Sequence, residues 1–163
     1  MKRLVCFLLL TCFILTGCNV TGDWIKEPVT FYYVRTNYEK DMDEVIAPEV
    51  REAAGHIEDL PYLLALYSLG PSQEDLHSLL PRNTTILPTE RTPHSVELTL
   101  SENTQAMTDA DFTLTSACLA MTCMELLDIR QVTVISGDRN ITLREDNLML
   151  YKSIVQIPQE ETK

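Results

Sequence analysis

The chain predicts an α+β domain: a small antiparallel or mixed sheet with two main helices packed on one face, in the order β-β-α-β-β-α-β-β. Three observations predict it. Val29-Thr30-Phe31-Tyr32-Tyr33-Val34 is an unbroken run of β-branched and aromatic residues, the composition of a strand. Val96, Leu98 and Leu100 alternate with polar residues, the period-two pattern of a strand with one wet face. Two further stretches, Asp59 to Leu69 and Thr108 to Asp128, carry apolar residues at helical spacing. Helices and strands of this kind each have one apolar side, and stacking them in two layers buries both.

The elements follow in order. After the aromatic strand, Asn37 to Asp43 is polar and turn-like. Glu44 to Ala53 reads as a second strand carrying Val45, Ala47 and Val50, with Pro48 marking an edge position because proline cannot donate to a ladder. In the first helix Asp59 is the cap, Pro61 suits the first turn, and Leu63, Leu64, Leu66 and Tyr67 form the buried stripe up to Gly70-Pro71. A short helical piece is expected over Gln73 to Leu80, with Leu76, Leu79 and Leu80 at helical spacing and Pro81 as its stop. Thr84 to Thr89 and His94 to Leu100 form a pair of strands, and Asn103 to Met107 a loop. Thr108 with Asp111 three residues on resembles a capping box and opens the long helix, whose stripe is Leu114, Ala117, Cys118, Met121, Met124 and Leu127. Gln131 to Ile135, the turn Ser136-Gly137-Asp138-Arg139 and Asn140 to Leu143 make a closing hairpin.

Ahead of this domain lies a segment of a different kind. Lys2 and Arg3 precede an apolar run, Leu4 to Leu15, that falls short of the roughly 20 residues a membrane-spanning helix needs and has the length of a signal-peptide core. Leu15-Thr16-Gly17-Cys18 follows directly and resembles a lipobox. The resemblance implies cleavage before Cys18 and a diacylglycerol on its thiol. The organisation expected is residues 1–17 as signal peptide, 18–28 as lipidated N-terminus and tether, 29–155 as the domain, and 156–163 as a polar tail. The location expected is the extracytoplasmic face of the cell membrane, held there by lipid.

The 163 residues carry 24 acids against 13 Lys and Arg, a net charge of −11, and loss of Lys2 and Arg3 with the signal makes the remainder more acidic still. A surface of that sign repels phosphate backbones, so no nucleic-acid partner is expected. Of the five cysteines, Cys118 and Cys123 fall inside the domain. Five residues of helix turn a side chain by about 500°, so their thiols point to different sides. They read as small buried apolar groups and not as a redox or zinc pair.

The stretch from Phe31 to Leu143 carries four features in order. Tyr67-Ser68-Leu69-Gly70-Pro71 closes a leucine-rich helix on Gly-Pro. Ser78-Leu79-Leu80-Pro81-Arg82-Asn83-Thr84 steps through Leu-Pro into a strand. Val96-Glu97-Leu98-Thr99-Leu100-Ser101 is a strand ending in Leu-Ser. Leu126-Leu127-Asp128-Ile129-Arg130-Gln131-Val132-Thr133-Val134 runs from the long helix into a strand and the Gly137 turn. Together they resemble a GerMN domain, the module named for a spore-germination protein. Two positions depart from that pattern: Thr99 stands where the family has an acid, and Thr108-Asp109-Ala110-Asp111 replaces a Gly-Ser step before the long helix. The resemblance implies an envelope lipoprotein linked to sporulation, germination or envelope assembly, with a fold likened to ring-building modules. It supplies no catalytic residues.

His56, His77 and His94 lack a partner at metal-ligand spacing. Glu39 to Glu44 is acidic but lacks the glycine and distal glutamate of a calcium loop. Asp109 and Asp111 form a carboxylate pair, yet they sit in a first helical turn, where acids stabilise the helix dipole. Ser116 and Ser153 have no evident base, and the Asn-x-Thr sites at Asn19, Asn83 and Asn140 follow a bacterial lipobox. No catalytic residue, cofactor or metal is expected. Alternation puts Phe31 and Tyr33 on one face of their strand and Tyr32 on the other. The function expected is a non-enzymatic interaction module that meets an envelope protein or a further copy of itself. Alternatives are a peptidoglycan-active enzyme and a small-ligand-binding lipoprotein. Contact is expected at the less protected strand edges, Val29 to Val34 and Asn140 to Leu143, with Thr30 and Thr142 as exposed positions.

Overall fold

The computed structural model describes residues 27–36 and 45–148. The signal segment, Cys18, Asn19, the acidic run within 37–44, Ser153 and the tail lie outside the described residues.

The domain is α+β with two main helices. β1 (Pro28–Arg35) and β2 (Ile46–Glu52) pair antiparallel from Pro28↔Glu52 to Val34↔Ile46. α1 (Leu60–Ser68) follows, capped by Asp59, whose carboxylate accepts from Tyr62 N at 3.1 Å. It ends where Gly70, at φ +83°, turns the chain in the left-handed region and donates its N–H to Tyr67 O. β3 (Leu76–His77) then pairs with Val34 and Arg35, giving a three-stranded sheet in the order β2-β1-β3. β4 (Ile86–Arg91) and β5 (Ser95–Leu100) form an antiparallel pair with a register shift between Pro88 and Glu90. A 3₁₀ turn (Glu102–Ala106) leads to α2 (Asp109–Leu127), which crosses over so that β6 (Gln131–Ser136) lies parallel to β5. β7 (Arg139–Arg144) returns antiparallel, completing the sheet β4-β5-β6-β7.

Three sequence expectations are corrected by this arrangement. The strands divide between two sheets where one was expected. α2 lies against β1 of the first sheet and against β6 and β7 of the second, and the buried apolar residues of both sheets and both helices form one cluster. The helical piece expected over Gln73 to Leu80 is an irregular segment holding β3. Its first N–H groups, Ser72 and Gln73, bond the Glu49 carboxylate at 2.7 and 3.0 Å, and Leu76 is drawn out to pair with Arg35. The third correction is the rotation of α2. Leu114, Ala117, Met121, Met124 and Leu127 are only half-buried, while Phe112, Thr115, Ser116, Cys118, Leu119, Ala120, Thr122 and Cys123 are buried. Of the expected stripe only Cys118 is in the core.

That rotation is helped by partners for two of the buried hydroxyls, while Thr115 Oγ1 has none. Ser116 Oγ donates to Phe112 O at 2.7 Å, one turn back along the helix, and Thr122 Oγ1 accepts from Tyr32 N at 3.0 Å. Small side chains let both sheets approach the helix closely. By length and composition α2 could cross a membrane, with a mean hydropathy of 1.2; here it is a core helix.

Candidate functional site

The most heavily hydrogen-bonded buried group is an ion pair that sequence reading missed. β2 turns Ala47, Glu49 and Arg51 toward α1 and leaves Val50 outside, 64% exposed. Glu49 is 2% exposed, and its Oε2 takes Arg51 Nε at 2.9 Å and Nη2 at 2.8 Å. Arg51 also donates to Leu66 O at 3.2 Å, which accepts from Leu69 N as well, and to Gly70 O just past the end of α1. Its guanidinium lies 5.6 Å from the Phe31 ring centre and 5.8 Å from that of Tyr33. Every charged atom is answered, so the pair staples β2, the end of α1 and the following turn. A Glu-x-Arg step in a strand, followed by a helix closing on Gly-Pro, was the available signal.

Beside it lies an aromatic cluster. Tyr33 and Tyr67 stack at 4.7 Å, and Phe31 meets Tyr67 edge-on at 5.8 Å. Burial pushes the Tyr33 and Tyr67 hydroxyls well above the ordinary tyrosine range. Tyr32 points to the other face, as alternation requires. Its hydroxyl donates to Glu125 Oε2 at 2.5 Å, and its pKa is pushed up to about 12 by burial first and by the Glu125 carboxylate second. Burial likewise pushes the Cys118 and Cys123 thiols up to about 12, and both are free.

The remaining sequence candidates are dispersed. His56 stacks on Tyr62 at 4.1 Å and lies 3.8 Å from Asp59. His77 is in β3 with Nδ1 buried and unpartnered, near Tyr33, Tyr67, Thr115 and Cys118. His94 is exposed between β4 and β5. Asp111 accepts from Thr108 Oγ1 at 2.8 Å, and Asp109 reaches Arg139 at 3.4 Å, so both acids are engaged at the start of α2. Ser116 is bonded within α2, and Asn83 and Asn140 are exposed. Among the described residues no three His, Cys, Asp or Glu side chains converge as a metal would require. An open, acidic depression is lined by Glu27, Gly55, His56, Ile57, Glu58, Asp59 and Pro61, and Glu27 Oε2 in it is buried without a partner.

The sheet edges are more distinctive. β1, expected to be an open edge, is central: β2 takes one side and β3 part of the other. On the flank β3 leaves free, Thr122 Oγ1 accepts from Tyr32 N, and Tyr67 Oη donates to Tyr32 O at 3.2 Å. Thr30 is correspondingly half-buried. β2 is an edge strand, as Pro48 implied. β7 is the other edge expected from sequence, and it is the outer strand of the second sheet. The outer face of that sheet is mostly polar, with Leu87 and Ile135 as its apolar members: Thr89 donates to Glu97 Oε1 at 2.9 Å, Thr133 and Thr142 share a hydrogen bond at 3.0 Å, and Arg144 donates to Gln131 at 3.2 Å. Thr142 is exposed there, as expected.

What the fold and these surfaces define is an α+β domain with a stapled interior and, among the described residues, an unpaired outer flank on β7. No family model matches the chain, and no curated protein or solved structure matches it.

Proposed function

We propose that the protein is a lipid-anchored extracytoplasmic lipoprotein whose domain is a non-enzymatic interaction module of the cell envelope. The observation that carries this reading is Leu15-Thr16-Gly17-Cys18 placed directly after a short basic segment and an apolar run. The four GerMN-like features between Tyr67 and Val134 support a role in sporulation, germination or envelope assembly. The open edge of β7 and the mostly polar face behind it supply a surface for a protein partner. The membrane concentrates such a domain in two dimensions, so a modest contact suffices.

Metabolic labelling with a fatty-acid analogue tests the anchor. Wild type takes up label and partitions with membranes, and Cys18→Ala does neither; equal labelling of both overturns the lipoprotein reading. Crosslinking in living cells through a photoreactive residue at position 142 tests the module. A protein adduct is expected, and turnover of muropeptides by the purified protein in place of an adduct overturns it.

A further inference from the structure

Three flanks of the two sheets are closed against further pairing. On β1, Tyr32 turns its N–H and C=O away from β2, toward Thr122 and Tyr67, so Tyr32 and Pro48 are a non-hydrogen-bonded pair. The outward side of Pro48 in β2 therefore has no N–H to offer. The same two hydroxyls, from Thr122 and Tyr67, occupy the flank of β1 beside β3. In β4, Pro88 and the adjoining register shift break the edge. β7 has none of these devices. It runs six residues in unbroken register with β6 and contains no proline. Gly137 and Asp138 form a two-residue loop, so Ser136 and Arg139 exchange hydrogen bonds and every second pair after them does too. Glu145 N donating to Arg130 O at 3.1 Å continues that set. The N–H and C=O groups of Asn140 and Thr142 and the N–H of Arg144 consequently face outward, and among the described residues no backbone group pairs with them; the Arg144 C=O opens a helical turn over 145–148.

We propose that β7 is a self-association edge, at which a second copy of the chain pairs antiparallel about Thr142 and joins two four-stranded sheets into one of eight. The strand is complementary to itself in that register. Thr142 meets the partner's Thr142 on the two-fold axis, Asn140 meets the partner's Arg144, and Ile141 meets the partner's Leu143. The last two are half-buried on the inner face, and pairing covers them. Charge selects the direction. Arg139, held by the Thr104, Gln105 and Met107 carbonyls of its own chain, begins the strand and Glu145-Asp146 follow it in a helical turn, so antiparallel pairing brings the basic end of one strand to the acidic end of the other, whereas parallel pairing sets like on like. The symmetry is closed and stops at two copies. This rests on the interaction-module reading and names its partner.

The test is sedimentation of the full chain over a concentration series, with Thr142→Pro and Thr142→Lys. Proline removes the outward N–H together with the hydroxyl shared with Thr133, and lysine, which keeps the N–H, sets two like charges opposite each other on the axis. Wild type forms a dimer, and both variants raise the dissociation constant by at least about tenfold while keeping the wild-type circular dichroism. If the proline variant fails to fold, the lysine variant decides. A wild type that stays monomeric, or a dimer that survives a folded variant, overturns the proposal. A monomer that still crosslinks to another envelope protein at position 142 overturns self-association and leaves the interaction-module reading standing.

Discussion

At the scale of single residues, the interior holds a desolvated ion pair between Glu49 and Arg51 together with buried thiols and phenols. Removing one partner of a desolvated ion pair leaves the other uncompensated, so Glu49→Ala should cost about 3–5 kcal/mol in urea unfolding. Glu49→Gln keeps an acceptor for Ser72 and Gln73 and should cost less. A wild-type midpoint for Glu49→Ala would show that the staple is dispensable. For the buried thiols and tyrosines, burial favours the neutral forms. Cys118 and Cys123 move from an ordinary 9.0 to about 12, and Tyr32 from 10.0 to about 12. A pKa raised by folding means the stabilising contribution is complete below the unfolded value and is lost as pH rises through the folded one. Stability should therefore hold up to about pH 9 and fall between about 9 and 12. Thiol labelling at pH 8 should be slow in the folded protein and complete in denaturant. Prompt labelling of both cysteines under native conditions would contradict their placement inside α2.

At the scale of elements, the rotation of α2 makes a sharp comparison. Leu119→Ala should cost about 2–5 kcal/mol by leaving a cavity, and Met121→Ala clearly less, because Leu119 is fully buried and Met121 is not. Thermal unfolding of the two variants side by side decides it, and equal losses would restore the stripe expected from sequence. Thr122→Val tests the same geometry, since it strands the Tyr32 N–H at a cost of about 1–3 kcal/mol. The comparison also shows what was legible. Strand and helix identity came through wherever the period was strong: Phe31 and Tyr33 are inside, Val96, Leu98 and Leu100 are inside, and Asp59 and Thr108 cap their helices. The rotation of α2 was hidden because hydrophobicity marks a face only when one face is buried. A helix between two sheets buries a wide arc, and Ser116 and Thr122 enter it through hydrogen bonds that residue type alone does not announce. Glu49 was only partly legible: Arg51 is two residues away, but Ser72 and Gln73 are 23 and 24 residues on and reach it only through the turn that follows α1. The open edge at Asn140 to Leu143 was legible because a terminal hairpin strand has a neighbour on one side only. The closed flank of β1 was not, since it depends on Thr122, 90 residues away.

At the scale of the whole molecule, two sheets that share no ladder are joined through α2, with α1 adding a second link where it packs on β4. Its Thr122 holds β1, and other buried positions pack on β6 and β7. A pair of sheets linked only by a surface helix would open separately. Here α2 supplies the wall between them, and the core is a single cluster running from Phe31 and Tyr67 through Leu119 and Cys123 to Val132 and Val134. Pulling either sheet away exposes the same helix, so the two should unfold as one unit. Native-state hydrogen exchange of the full chain measures this directly. The inward-bonded amides of β1 and those of β5 and β6 should converge on one opening free energy as denaturant is added. Thr122→Val should lower both sets by the same amount, although it touches only the first sheet. A gap between the two sets that persists in denaturant, with Thr122→Val affecting β1 alone, would show two independent units and would remove α2 as the joint between them.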